Sequence, residues 1–202
     1  MSCTLRALLL VLCVSFCANA QTRTLALYLG PASAIDTETQ RMMRAELQQL
    51  LAPAAIDVVW KTLADRKGGE NFDIVAVATF DKTCGGTDNA VSTVAPSLAD
   101  TSIADGHILP FFRIDCTRLM SILGRSVNSD VLGRALARLA AHELYHIVGQ
   151  TTEHPDAGIA KAAFSVRDLT APRFELDAWS VARMRPAPTS PAIDISYSDS
   201  AR

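Results

Sequence analysis

The run Ser129–Gly149, SDVLGRALARLAAHELYHIVG, limits the fold more than any other stretch of this chain. It opens on a polar cap and an acidic first turn, holds no proline, and spreads apolar residues around most of a helical circumference. It is therefore expected to be a helix packed inside a domain, not laid on its surface. Within it, His142 and His146 stand four residues apart, which on a helix sets both imidazoles on one face, one turn apart. Burying two imidazoles and the Glu143 carboxylate without partners costs on the order of several kcal/mol. A tetrahedral ion shared by the two rings removes that cost.

Glu143 falls on the flank adjoining the two histidines. There it can polarise a metal-held water and hand its proton to a leaving amine, the general-base role of zinc peptidases. The competing reading is a partly exposed helix end with solvated histidines. Burial of the helix and a third histidine nearby count against it. A catalytic zinc site takes three protein ligands and keeps one position open. His154 is the first choice for the third ligand, since it follows Gly149, which can end the helix and turn the chain back. Asp156 in the same loop and Glu175 from a following helix are its rivals. Imidazole is the commonest zinc ligand outside thiolates, which favours His154 over Glu175 and Asp156, and Zn²⁺ is the expected cofactor. The fourth histidine, His107, is expected to face solvent at a strand start.

Residues 1–20, MSCTLRALLLVLCVSFCANA, have one basic residue, an apolar run and small residues at Ala18 and Ala20. They read as a signal peptide cleaved near Ala20, and the protein as exported to a periplasm or the extracellular space. The apolar run is too short to span a membrane, and no later segment supplies a span. Residues 21–185 are expected to form one domain and the Pro/Ser-rich residues 186–202 a loose tail. The 19 Lys+Arg against 21 Asp+Glu favour neither nucleic acid nor an anionic membrane as partner. Of five cysteines, three lie in the leader. The two others, Cys84 and Cys116, form an even pair in an oxidising compartment and are expected to bridge. The alternative is a pair of metal ligands, although neither belongs to a CxxC.

Ahead of the histidine-bearing helix the chain reads as strand, helix, strand, strand. TLALYLG over 24–30 is a buried strand, and a helix capped by Ser33 or Asp36 runs to Pro53. Residues 56–63 and 72–80 are β-branched strands separated by a turn. Residues 81–106 look like a long surface excursion tied down by Cys84. Residues 106–116, GHILPFFRIDC, read as a strand whose Pro110 confines it to an edge or demands a bulge. The fold class is α/β, or α+β, with a mixed sheet.

HELYHIVG followed by a downstream histidine resembles the zincin metallopeptidases, and Gly149, three residues past His146, resembles their metzincin branch. Thr152 stands where metzincins carry their third histidine, Ala160 follows Ile159, and Met184 is the candidate for their methionine turn. The order HELYH…TTEHPDAGIAK, with DGHILPFFRIDC before it, resembles a group of exported bacterial zincin-like proteins over roughly residues 98–165. The resemblance implies a zincin architecture, with an edge strand beside a buried active-site helix. It also implies that the strand before that helix receives an extended peptide by strand addition, here through Ile108, Leu109, Phe111 and Phe112. An ordinary edge protected by Pro110 and Arg113 fits the same residues. Tyr145 is read as core with a satisfied hydroxyl. Arg113, Tyr197 and His107 are candidates for the donor a transition-state oxyanion needs.

The reading that follows is an exported zinc peptidase acting on a peptide or protein, with His142, His146 and His154 on the metal and Glu143 as general base. Its rival from another class is a non-catalytic zincin-like protein that holds metal or peptide without turnover. A structural zinc site fits less well, because such sites close with four ligands.

Overall fold

Five strands form one sheet in the order β2-β1-β3-β5-β4. They are β1 (Arg23–Leu29), β2 (Ile56–Thr62), β3 (Ile74–Asp81), β4 (Ala99–Ala104) and β5 (His107–Asp115). The first three and β5 run parallel, and β4 is antiparallel to β5. The computed structural model describes residues 21–30, 35–62, 64, 69–81, 84, 97–124 and 126–186. The expected leader and all but the first residue of the expected tail lie outside the described residues, as does Tyr197. Among the described residues no helix is long and apolar enough to cross a membrane.

Helix α1 (Thr37–Leu51) starts at Asp36, whose carboxylate accepts from the Thr39 amide at 2.9 Å. Its buried stripe, Met43, Leu47, Leu50 and Leu51, joins a core with the inward sheet residues Leu25, Leu27, Ala76, Ala78, Phe112 and Ile114. The 21-residue helix α3 (Ser129–Gly149) crosses the core, capped at its start by the Asn128 side chain. Gly133 allows α1 and α3 to approach closely, because a Cβ there would meet Met42 Cβ at 2.6 Å and the Thr39 carbonyl at 2.8 Å. Helix α2 (Cys116–Leu123) follows β5 directly, capped by Asp115. The expected Cys84–Cys116 disulfide is present and ties the chain beyond β3 to the first residue of α2. Two short helices, α4 (Val166–Thr170) and α5 (Ala178–Met184), close the fold over α3.

The structure corrects two expectations. Residues 99–104 are not part of a surface excursion but the strand β4, which turns into β5 through Asp105 (φ 50°) and Gly106 (φ 77°). Two successive left-handed residues make the two-residue hairpin turn that suits the twist of paired strands. In consequence Ile108, Leu109, Phe111 and Phe112 do not lie on the edge strand: β5 is covered by β4 on one side and by β3, from Phe111 onward, on the other. Pro110 is accommodated by the other option open to it. The β4–β5 register slips between Thr101 and Ile103, and Pro110 lies in that irregular stretch.

Helix α3 also buries a cation. Arg138 is 0 % exposed. It donates to Glu46 of α1 at 3.0 and 3.2 Å and to the carbonyls of Asp168 at 2.7 Å and Ala171 at 2.8 Å. Burial lowers its pKa, against the pull of Glu46.

Candidate metal centre

His142 and His146 emerge from the last turns of α3, both nearly buried at 8 % exposure. The His142 Nδ1 lies 2.8 Å from the carbonyl of Ile159, and the His146 Nδ1 lies 2.7 Å from that of Thr151. A carbonyl only accepts, so each Nδ1 carries the proton and each Nε2 presents a lone pair. The two Nε2 atoms are 3.1 Å apart. Two lone pairs facing each other at that distance repel, unless a proton or a metal ion lies between them. A proton is disfavoured: burial pushes the His142 pKa down to about 4, with His146 and His154 adding to the effect, and burial lowers His146 as well. Tetrahedral bonds of about 2.0–2.1 Å to zinc place neighbouring ligand nitrogens roughly 3.3 Å apart, close to the spacing found.

The third histidine arrives from the loop after α3. Gln150 caps the helix in the left-handed conformation (φ 45°), and the chain then reverses over the metal-facing side. The His154 ring comes within 5.2 Å of His142 and 4.7 Å of His146, centroid to centroid. Ligating atoms of all three lie within 4.8 Å of one another. His154 is the exposed member of the set, but the partial burial of its ring still lowers its pKa, so all three imidazoles are neutral and able to bind metal near neutral pH. The residues present therefore fit a zinc ion.

Glu143 is 3 % exposed, and Thr101 on β4 donates to its Oε2 at 2.6 Å. Burial raises its pKa to about 7, Asp100 adding to the rise and the Thr101 bond opposing it. Histidines and carboxylate open on a cleft of about 300 Å³ whose far wall is the edge strand, through Ala99, Asp100, Thr101 and Ile103.

No protein-family profile and no curated protein matches this sequence. Among solved structures, the chain is similar to the crystal structure of archaemetzincin from Methanopyrus kandleri, with a TM-score of 0.50 and 10 % identity over 83 % of this chain and 95 % of that one. The fold is zincin-like. At that identity the likeness speaks to the fold alone.

Within the zincin-like frame, the structure brings His142, His146, His154 and Glu143 together and leaves the other candidates apart. Glu175 is exposed in the loop before α5, in a separate surface hollow with Glu46 and Pro53, and its backbone carbonyl holds the Ile159 amide at 3.0 Å. Asp156 is exposed. His107 is exposed at the first residue of β5. Arg113 is engaged by Asp81 and by Asp100, the latter at 2.6 Å, and is not free to serve an oxyanion. Met184 is buried at the end of α5, in a helix and not a turn, and its carbonyl receives the Arg23 guanidinium. Tyr145 is fully buried and donates to the Glu153 carbonyl at 3.0 Å.

Three contributors escaped the sequence reading. Thr101 was hidden inside the supposed excursion, although Asp105-Gly106 between apolar residues is a hairpin signal that would have placed it on a strand. The carbonyls of Thr151 and Ile159, which orient the two helical histidines, carry no side-chain signal. Gly158 does: at φ 73°, a Cβ there would meet the Asp177 nitrogen and the Glu175 oxygen at 2.9 Å. It sets the turn that delivers Ile159.

Proposed function

We propose that this chain is an exported zinc-dependent peptidase, with His142, His146 and His154 as the metal ligands and Glu143 as general base. The observation that carries this reading is the pair of lone-pair-bearing Nε2 atoms held 3.1 Å apart beside a buried carboxylate. Zinc held there supplies Lewis acidity for attack of water on a peptide carbonyl. The chain's own residues do the rest. Ile159 and Thr151 hold the proton on Nδ1 of His142 and His146, so that neither ring can turn away. Thr101 holds Oε2 of Glu143 and leaves Oε1 to take a proton from the attacking water and pass it to the leaving nitrogen. Burial of the Glu143 carboxyl, which raises its proton affinity above that of an exposed carboxylate, suits a group that must accept and return a proton.

An extended substrate is best placed along β4. That strand is the sheet edge beside α3 and lines the cleft, so strand addition transfers from β5 to Ala99–Ala104. Export rests on the leader-like residues 1–20 and is supported by the Cys84–Cys116 bridge. The exported bacterial zincin-like group fits the same sequence signals.

The test is metal analysis and peptide-library cleavage by the parent and Glu143→Gln proteins. Zinc in both with cleavage by the parent alone is the expected result. Zinc in both with cleavage by neither favours the non-catalytic binding protein.

A further inference from the structure

A second hollow, of about 210 Å³, opens off the metal cleft behind His142 and Glu143, which line both. Its lining mixes apolar side chains, Leu98, Ile122, Leu139 and Phe164, with polar ones, Ser97 and the cation Arg118 beside His142 and Glu143. Phe164 also meets the His142 ring edge-on at 5.4 Å, so the hollow begins at the metal ligand itself. Arg118 is half-buried, and among the described residues it takes part in no ion pair.

Its mounting is rigid. Arg118 sits in the first turn of α2, its amide bound to the Asp115 carboxylate at 2.8 Å, and the helix's first residue is disulfide-bonded to Cys84. A half-buried arginine on a fixed backbone, with no ion-pair partner among the described residues, can present its guanidinium to a carboxylate, with which it forms a planar two-bond pair. The apolar part of the lining lowers the local dielectric and strengthens that pair.

Resting on the peptidase reading above, we infer that Arg118 is a specificity-determining residue: the hollow takes a carboxylate of the substrate close to the scissile bond. That carboxylate is either an acidic side chain or the free C-terminus of the peptide. Both present the same chemistry to the guanidinium, and the experiment separates them.

Binding is measured on the zinc-loaded full chain carrying Glu143→Gln, so that peptides bind without turnover. One peptide set is amidated and varies Glu against Gln at each position; the other varies a free against an amidated C-terminus. In one set the acidic member is expected to bind about tenfold to a hundredfold tighter than its neutral match, the range of a charge-assisted hydrogen-bond pair. Arg118→Met should bring that ratio to about one with zinc content unchanged. Arg118→Lys should keep part of it, and Arg118→Glu should reverse it, the neutral member then binding tighter than the acidic one. Equal binding of acidic and neutral members by the Arg118 protein, or a preference that survives Arg118→Met, overturns the assignment. Cleavage by the Glu143 protein is scored separately: discrimination in binding without cleavage sinks the peptidase reading and keeps Arg118, whereas cleavage without discrimination sinks Arg118 alone.

Discussion

Thr101 on the edge strand and Glu143 on the buried helix are joined by a 2.6 Å hydrogen bond, so the strand that walls the cleft also holds the general base in place. Removing the hydroxyl leaves Oε2 of a buried carboxylate unpaired and withdraws the one contribution that lowers its pKa. Thr101→Val is therefore expected to reduce kcat/KM about tenfold or more, and to move the acid limb of the pH profile upward. Thr101→Ser should restore both. A Val variant with the parent's pH profile would show that the bond does not position the base.

The ligand set predicts an order of zinc affinities, read by chelator competition. His142→Ala and His146→Ala should abolish stoichiometric zinc, His154→Ala should weaken it sharply, and Glu175→Ala and Asp156→Ala should leave it alone. Gly158→Ala should weaken zinc by about tenfold to a hundredfold, the range for losing a ligand's outer hydrogen-bond partner. The added Cβ collides with backbone at 2.9 Å and displaces the Ile159 carbonyl that orients His142. Loss of zinc from Glu175→Ala with retention by His154→Ala would reverse the assignment of the third ligand.

Metal-free protein should show two opposed pH dependences. Burial raises Glu143 from 4.5 to about 7, so its contribution to stability is fully present below pH 4.5 and is lost as pH rises through about 7. Burial lowers His142 from 6.5 to about 4, so its contribution is present above pH 6.5 and is lost as pH falls through about 4. Comparing Glu143→Gln with the parent cancels the histidine. In the presence of chelator the variant should melt higher than the parent near pH 8, with the gap closing towards pH 4.5. A gap that widens on acidification would contradict the burial of the carboxylate.

Arg138 ties α1, α3 and α4 together through one buried guanidinium. Arg138→Met leaves two carbonyls without their donor and the Glu46 carboxylate with Arg134 alone among the described residues, 4.0 Å away, and is expected to cost about 3 kcal/mol in urea unfolding. Pairing it with Glu46→Met should recover part of that loss, because the weakly paired carboxylate goes too. An Arg138→Met protein as stable as the parent would mean that water replaces the guanidinium at no cost.

Much of the site was legible because it depends on spacing along one element. His142 and His146 share a helix face by periodicity, and Glu143 adjoins them for the same reason. His154 follows within a loop too short to carry it far from His146. The disulfide was legible by composition, since Cys84 and Cys116 are the only cysteines beyond the expected leader. The edge strand was not, since which strand lies outermost depends on pairing partners distant in the chain. Ile108–Phe112 and Ala99–Ala104 both read as peripheral, and only the parallel pairing of β3 with β5 places β4 outside β5.

Sequence alone thus determined the ligand and base types and their order on α3, because helical geometry converts a four-residue interval into proximity without help from the rest of the chain. The tertiary structure decided what those groups experience: the carbonyls that aim the imidazoles, the Thr101 hydroxyl on Glu143, the exclusion of Glu175, and the Arg118 hollow behind the metal ligand. Each depends on segments tens of residues apart or on backbone groups that every residue carries, and neither leaves a mark in residue type or interval.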